Sequence, residues 1–123
     1  MSTIELGELQ QALRQFAAER EWERFHSPKN LAMALAGEAG ELLEHFQWLT
    51  ETESYALNAT AKAAVSEELA DVFLYLIRIA DRLSVDLPAV AREKIKKNAA
   101  KYPIEKARGN SRKYTEFKME GEE

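Results

Sequence analysis

The segment from about Thr60 to Leu83 limits the possible folds more than any other part of the sequence. It is predicted to form the longest helix of the chain, about 36 Å at ~1.5 Å per residue. From Leu69 to Ala80 this helix is apolar on nearly all of its faces, and one small subunit cannot easily cover such a surface. We therefore predict a helical protein that associates with copies of itself.

Three further helices are predicted from start signals, helical periodicity and stop signals. Ser27 can cap a helix whose first turn accepts Pro28, because that position needs no backbone donor. Pro103 disfavours helix in the residue before it and so ends the last helix. The predicted helices are the first from a Ser2-x-x-Glu5 capping box through Ala17, the second from Ser27 to about Trp48, and the fourth from Asp86 to about Lys101.

These elements predict an all-α fold, with a four-helix-type bundle as the subunit. A chain of 123 residues is long enough for one ordinary domain but not for two independent cores. Residues 1–104 form this helical domain in the prediction, and residues 105–123 form an irregular tail. The tail carries basic residues before it turns acidic, so it is either a solvated end or an arm that contacts phosphate.

Charge and composition exclude several classes of function. The net charge of −4 argues against binding of duplex DNA through a broad basic surface. The chain has no cysteine, which excludes disulfides and thiolate metal ligands. Its start does not have the order of a signal peptide, and no apolar run approaches the ~18 residues of a membrane span. We expect a cytoplasmic protein with a small-molecule partner and with no nucleic acid or membrane partner.

Two pairs of carboxylates stand on the predicted second and third helices. Glu38 and Glu41 are three residues apart, so both lie on one face of the helix, one turn apart. Glu68 and Asp71 repeat this spacing on the third helix. Because Glu38 and Glu68 fall within the apolar stripes of their helices, both pairs are predicted to point inward.

Inward carboxylates must be neutralised, because like charges about 4 Å apart repel by about 4 kcal/mol at an effective dielectric of about 20. Protonation, basic side chains or a hard cation could do this. Oxygen ligands in the absence of cysteine favour Mg²⁺ or Mn²⁺, with Mg²⁺ as the first candidate. A ferritin-like di-iron site would need Glu-x-x-His pairs, which neither His26 nor His45 provides. A single such pair is usually a solvated helix face, so the metal prediction depends on the two inward pairs together.

Longer stretches of the sequence are similar to one enzyme family. Glu-x-x-Glu at 38–41, followed by Glu-x-x-Asp at 68–71, resembles the metal motif of the MazG-like all-α nucleotide pyrophosphohydrolases. The resemblance is to the dCTP pyrophosphatase branch in particular and runs from about residue 9 to residue 116. The segments that carry it are Glu19-Arg20-Glu21-Trp22-Glu23, Phe25-His26, Lys29-Asn30-Leu31, Gly37-Glu38-Ala39-Gly40-Glu41-Leu42, Phe46-Gln47-Trp48, Glu67-Glu68-Leu69-Ala70-Asp71-Val72, Val85-Asp86-Leu87-Pro88, Lys101-Tyr102-Pro103 and Ser111-Arg112-Lys113-Tyr114-Thr115-Glu116.

The resemblance implies that the helical domain is a MazG-like catalytic domain, assembled as a dimer or tetramer. Its reaction would split a nucleoside triphosphate, most of all dCTP or a modified dCTP, between the α and β phosphates. The monophosphate and pyrophosphate are the implied products, and sanitation of the nucleotide pool is the implied role. By the same resemblance, Mg²⁺ is bound by Glu38, Glu41, Glu68 and Asp71, and Glu41 or Glu38 orients or deprotonates the attacking water.

Two further groups of residues match substrate-binding positions of the family. The first would contact the triphosphate from one stripe of the fourth helix, although a solvated helix face would look the same. The second would enclose the base and sugar by stacking and edge recognition, although ordinary packing would also explain it. The phosphate group is Lys94, Asn98 and Lys101, and the base and sugar group is His26, Asn30, Trp48, Tyr75 and Tyr102.

The sequence leaves other functions open beside the hydrolysis of dCTP. The same chemistry could act on other nucleotides. A helical module could bind a nucleotide without turning it over, and a purely structural bundle could carry its acids as surface charge. Release of pyrophosphate separates the enzyme from both of the others.

Overall fold

The protein consists of helices joined by short connections. The computed structural model describes residues 3–121, and their side chains from residue 5 to residue 117. No strand occurs among these residues, and the predicted all-α fold class is confirmed. The helices are α1 (Thr3–Glu19), α2 (Pro28–Glu44), α3 (Glu51–Ser54), α4 (Ala59–Arg82), α5 (Leu87–Lys101), α6 (Ile104–Ala107) and α7 (Tyr114–Gly121), with a 3₁₀ turn at Glu23–Phe25 between α1 and α2.

The start signals of the longer helices act as side-chain caps. The Ser27 hydroxyl accepts a hydrogen bond from the backbone N–H three residues ahead, at 3.1 Å. Asn58 and Asp86 do the same for α4 and α5, at 2.8 Å and 3.1 Å. Each cap satisfies a backbone donor that the first turn of a helix leaves free. The capping box predicted at Ser2 lies outside the described residues.

The second helix is shorter than predicted. It ends at Glu44 rather than near Trp48, and the backbone turns over residues 45–48. Thr50 and Glu53 then form a capping box for α3, with the Glu53 N–H donating to the Thr50 hydroxyl at 3.1 Å and the Thr50 N–H donating to the Glu53 carboxylate at 2.8 Å. This reciprocal cap gives the polar stretch a helix start of its own, which competes with continuation of α2.

Residues 1–85 form the first of two compact units. Within this unit α4 packs against α2 and, over a smaller surface, against α1. The buried side chains include Ala17 of α1, Leu31 of α2, and Val65 and Ile77 of α4. The packing of α2 against α4 brings together the two helices that carry the carboxylate pairs.

Residues 86–123 form the second unit, which contains α5, α6 and α7. Phe117 is buried, and the Tyr102 ring meets Phe117 and Tyr114 edge-on, with ring centroids 6.0 Å and 6.3 Å apart. The segments of α6 and α7 are helical, whereas the sequence predicted an irregular tail over 105–123. Packing of these rings stabilises short helices that could not be predicted from the polar composition of the segment. The units also divide after residue 85, whereas the sequence suggested a boundary after residue 104.

Part of the apolar surface of α4 remains exposed in the subunit. Leu69, Leu76 and Leu83 recur every seven residues, about two helical turns, and are 51%, 38% and 54% exposed. No helix in the described part of the chain combines the length and apolar character needed to cross a membrane. Self-association stays a prediction, and these leucines identify a face of α4 on which it can be tested.

Candidate active site

Three carboxylates from α2 and α4 meet in the first unit. Glu38 and Glu41 lie one turn apart on α2, and Glu68 faces them from α4. One oxygen from each of the three lies within 4.8 Å of the others. We call Glu38, Glu41 and Glu68 the carboxylate cluster. The spacing of three residues on each helix and the packing of α2 on α4 produce this convergence.

Two oxygens of the carboxylate cluster are buried without a partner. Glu38 Oε2 and Glu68 Oε2 have no hydrogen-bond partner, and no other buried side-chain nitrogen or oxygen in the described part of the chain lacks one. A buried charge without a partner is costly and normally indicates a ligand or a shift to the neutral form. The donors are all carboxylate oxygens, which suits a hard divalent cation such as Mg²⁺. The residues present therefore fit the ion that the sequence implied.

Asp71 lies beside the carboxylate cluster but does not complete it. Its side chain is exposed, and its oxygen is not among those that converge within 4.8 Å. Its negative charge nevertheless contributes to raising the pKa of Glu38, and both residues line the same cavity. The structure thus brings together three of the four predicted metal ligands and leaves the fourth nearby.

The pKa of Glu38 is raised from 4.5 to about 7. Burial is the largest cause, followed by hydrogen bonds with Glu68 and Glu41 that a protonated Glu38 can donate, and by the charges of Glu41 and Asp71. Proximity of like charges and low solvation both disfavour the ionised form. Near neutral pH a proton therefore competes with a cation for this carboxylate.

This competition predicts a pH-dependent affinity for Mg²⁺. Binding requires ionised Glu38, and with a pKa of about 7 its ionised fraction grows about tenfold from pH ~6 to pH ~8. We expect the apparent Kd for Mg²⁺ to fall by about tenfold over this interval and to level off above it. Isothermal titration calorimetry across the pH range measures it. The exposed Glu44→Gln variant should behave like the unmodified protein, whereas a Kd that is independent of pH contradicts the prediction.

A cavity of about 510 Å³ opens next to the carboxylate cluster. Glu38 and Asp71 provide its acidic edge. Apolar and aromatic side chains from α1, α2 and α4 provide most of the remaining wall, a composition typical of small-molecule sites. The lining residues are Leu9, Ala12, Leu13, Phe16, Trp22, His26, Leu31, Glu38, Asp71, Leu74, Tyr75 and Arg78.

Two of the residues predicted to contact base and sugar, His26 and Tyr75, line this cavity. Asn30 and Trp48 belong to the same unit but not to the lining. The Asn30 side-chain amide donates to the backbone carbonyl of Phe25 at 3.1 Å, and the Trp48 side chain is 87% exposed. Within this unit, only two of these four residues therefore surround the cavity.

The remaining predicted substrate contacts belong to the second unit. Lys94 and Asn98 are exposed on α5. The Lys101 ammonium lies over the Tyr114 ring, 4.8 Å from its centroid, and Tyr102 packs edge-on against Tyr114. Lys94, Asn98 and Lys101 follow each other at intervals of four and three residues along α5, which puts them on one side of that helix.

Eight of the twelve lining residues were not predicted as site residues, and three of these eight, Phe16, Trp22 and Arg78, are aromatic or charged. Phe16 and Trp22 meet edge-on with centroids 5.7 Å apart and form an aromatic wall. Arg78 is 5% exposed in the middle of the apolar part of α4. A lone arginine in such a run is a signal that sequence reasoning could have used, because a buried cation needs a partner.

His26 is held from α4. The Nε–H of Arg78 donates to His26 Nδ1 at 3.1 Å, and the Nε–H of Arg82 donates to the His26 backbone carbonyl at 3.1 Å. The pKa of His26 is lowered, first by burial and then by the positive charges of Arg78 and Arg82. The ring is therefore neutral at physiological pH.

Comparisons with known proteins agree on one family. A model of the MazG-like family matches residues 34–117, which include both carboxylate pairs. The protein dCTP pyrophosphatase 1 of Homo sapiens is 47% identical over 114 residues, covering 91% of this chain and 67% of that protein. Its counterpart from Mus musculus is 45% identical with the same coverage. The crystal structure of a pyrophosphatase from Archaeoglobus fulgidus superposes with a TM-score of 0.76 at 38% identity, covering 84% of this chain and 94% of that one.

Proposed function

Because the chain belongs to the MazG-like family, we propose that it hydrolyses a nucleoside triphosphate, dCTP or a modified dCTP first of all, to the monophosphate and pyrophosphate. One observation carries this proposal: Glu38, at the edge of an aromatic-lined cavity, has a buried oxygen without a partner, and it converges with Glu68, which has another. The relatives at 43–47% identity are named for the cleavage of dCTP. Removal of surplus or modified nucleotides from the cytoplasmic pool is the proposed role.

The carboxylate cluster is proposed to hold Mg²⁺, with Mn²⁺ as a substitute, and Asp71 is proposed to complete the site. When bound, such an ion stabilises the negative charge that develops on phosphate oxygens during hydrolysis. Glu38 and Glu68 each provide a buried oxygen for it. Both oxygens point inward and have no protein partner. Neither carboxylate would therefore have to break a hydrogen bond in order to bind the ion.

Glu41 is proposed as the residue that orients or deprotonates the attacking water. Its side chain is exposed, so water can reach it, whereas Glu38 has a buried oxygen. Both belong to the carboxylate cluster, so the proton taken from water would stay within a group of interacting acids. Glu38 is the second candidate, because its pKa of about 7 suits proton transfer near neutral pH.

The cavity is proposed to enclose the base and sugar. The aromatic wall of Phe16 and Trp22 offers a stacking surface, and Tyr75 and His26 line the same space. The phosphates would then extend from the base toward the acidic edge. Binding of the triphosphate by Lys94, Asn98 and Lys101, and of the base and sugar by Asn30, Trp48 and Tyr102, is supported by the family resemblance.

The test of this function is turnover of a panel of triphosphates. The purified protein would be incubated with canonical and 5-modified deoxynucleoside triphosphates, with and without Mg²⁺, while monophosphate and pyrophosphate are measured. We expect Mg²⁺-dependent release of pyrophosphate, fastest for dCTP or a modified dCTP. Stabilisation by nucleotides without any release would instead favour the binding module, and release of inorganic phosphate alone would contradict cleavage between the α and β phosphates.

Self-association is part of the proposal and predicts a measurable change in mass. Leu76 lies at the centre of the exposed leucine row of α4. A glutamate at this position would place a buried charge in any interface formed there, which is strongly unfavourable. We expect Leu76→Glu to shift the protein from an oligomer toward the 14.0 kDa subunit. Light scattering coupled to size-exclusion chromatography measures this.

The matched control is Ala63→Glu, which adds the same single negative charge at an exposed position of α4 outside the seven-residue spacing of the leucine row. It should leave the mass unchanged. An unmodified protein that elutes as a monomer would contradict the proposed assembly, and an oligomer that survives Leu76→Glu would exclude this face of α4 as its interface.

A further inference from the structure

A chain of charged side chains connects α1 with the wall of the cavity. Arg78 is buried, at 5% exposure, and its guanidinium lies 3.5 Å from Asp81 and 3.1 Å from His26 Nδ1. Burial of an arginine in an apolar helix is costly unless every charge is compensated. The position of Arg78 therefore needs an explanation other than the packing of α4.

Asp81 connects Arg78 to α1. Its carboxylate accepts hydrogen bonds from Arg14 Nε at 2.7 Å and from Gln10 at 3.0 Å, in addition to its ion pair with Arg78. The Asp81 side chain is 9% exposed and that of Arg14 is 50% exposed. The more exposed Arg14 thus holds the Asp81 carboxylate in place by hydrogen bonds, and Asp81 in turn holds the buried Arg78 by an ion pair. We call Arg14, Asp81 and Arg78 the arginine relay.

Arg78, the member of the arginine relay that contacts His26, determines which imidazole nitrogen carries the proton. A guanidinium can only donate, so the Nδ1 that receives the Arg78 Nε–H must be unprotonated. In a neutral imidazole the proton is then on Nε2. Nε2 has no partner among the described residues, and it is not one of the buried unpartnered atoms. His26 lines the cavity, so its Nε2–H is an accessible donor on an otherwise largely apolar wall.

We propose that the arginine relay is a positioning device that holds His26 as a fixed Nε2–H donor, and that this donor selects a base with a ring carbonyl oxygen. The proposal rests on the proposed function, because it assigns the base of the triphosphate to the cavity. Cytosine has such a carbonyl and adenine has none. A neutral donor fits this task, since a carbonyl oxygen can only accept. His26 touches the substrate in this scheme, and Arg78 acts through it.

The tautomer of His26 can be measured without any substrate. Long-range ¹H–¹⁵N spectra distinguish protonated from unprotonated imidazole nitrogens. The chain has two histidines, His26 and His45, so His45→Gln assigns the signals. In the unmodified protein we expect an unprotonated Nδ1 and a protonated Nε2 for His26.

Arg78→Met should convert His26 to a mixture of tautomers. If this variant does not fold, Arg14→Met provides the test from the surface end of the relay and should shift the mixture in the same direction. The exposed Arg24→Met serves as the matched control and should leave the spectrum unchanged. A protonated Nδ1 in the unmodified protein, or an unchanged His26 signal in both relay variants, would overturn the positioning role.

Selection of the base is tested with dCTP and dATP. We expect His26→Phe to lower kcat/KM for dCTP by about tenfold to a hundredfold, mainly through KM, and to reduce the ratio of kcat/KM for dCTP over dATP by a similar factor. His26→Gln, which restores a donor, should recover part of that ratio. A ratio that is unchanged in His26→Phe would overturn selection by this donor.

Failure of the proposed function gives a different result from failure of this inference. If no triphosphate is hydrolysed, the reaction assignment fails, and dCTP is added to the labelled protein instead. A shift of the His26 Nε2 signal on addition of dCTP but not of dATP would still support base selection. The absence of any shift at a concentration that saturates binding would overturn it.

Discussion

Glu38→Gln is expected to abolish pyrophosphate release and, at the same time, to stabilise the metal-free protein at neutral pH. The loss of activity should be about a thousandfold or more in kcat, because a charge that is proposed to bind the metal ion is removed. The gain in stability has a separate cause. Glutamine keeps the shape of the side chain but removes a charge that has a buried oxygen without a partner and like charges around it.

The pH dependence of this stability follows from the sign of the pKa shift. In the folded protein the pKa of Glu38 is raised from 4.5 to about 7, so between these values the folded state holds a proton that the unfolded chain has released. Stability is therefore lost as the pH rises through this interval, and the loss persists above it. The difference in Tm between Glu38→Gln and the unmodified protein should grow from pH ~5 to pH ~8.

Thermal unfolding in the presence of a chelator measures this difference. Glu44→Gln, on the same helix but exposed and outside the carboxylate cluster, should change neither Tm nor activity appreciably. Addition of Mg²⁺ should reverse the order of stability, because only the unmodified protein gains from binding the ion. A lower Tm for Glu38→Gln at pH ~8 without metal would mean that the ionised carboxylate stabilises the fold, contrary to the arrangement described above.

The convergence of Glu38, Glu41 and Glu68 could be predicted because the geometry of each helix face is local, whereas the exposed Asp71 does not join them. A spacing of three residues fixes two side chains on one helix face, and apolar neighbours such as Leu31 and Val72 show which face turns inward. The pairing of α2 with α4 then needed only the packing of two apolar stripes. The caps at Ser27 and Asp86 could also be predicted from the sequence, since a cap depends on the residues of a single turn.

Features that depend on distant contacts could not be predicted in this way. Phe16 and Trp22 are large aromatic residues, and the sequence alone does not tell whether such a side chain packs against another helix or lines an open cavity. The partners of Arg78 include His26, which is 52 residues away along the chain. The helix α7 could not be predicted from its polar segment; among the α7 residues whose side chains are described, Phe117 is the buried one.

Trp22→Ala is expected to lower kcat/KM for the preferred triphosphate by about a hundredfold. Stacking of a base on an aromatic side chain contributes about 1–3 kcal/mol. The Trp22 ring also meets Phe16 and His26 edge-on, with centroids 5.7 Å and 6.4 Å apart, so its removal loosens two neighbouring parts of the cavity wall. The effect should appear mainly in KM, because Trp22 does not belong to the carboxylate cluster.

Steady-state kinetics of pyrophosphate release measure this effect. The Tm of each variant is measured in parallel, so that a loss of folded protein can be distinguished from a loss of substrate binding. Tyr55→Ala is the matched control, since it removes a large aromatic side chain that is 92% exposed and does not line the cavity. It should change kcat/KM by less than about twofold. If Trp22→Ala lowered kcat and left KM unchanged, the base would have to bind elsewhere. The cavity beside Glu38 would then hold another part of the substrate, since the reacting phosphate is proposed to lie at its acidic edge.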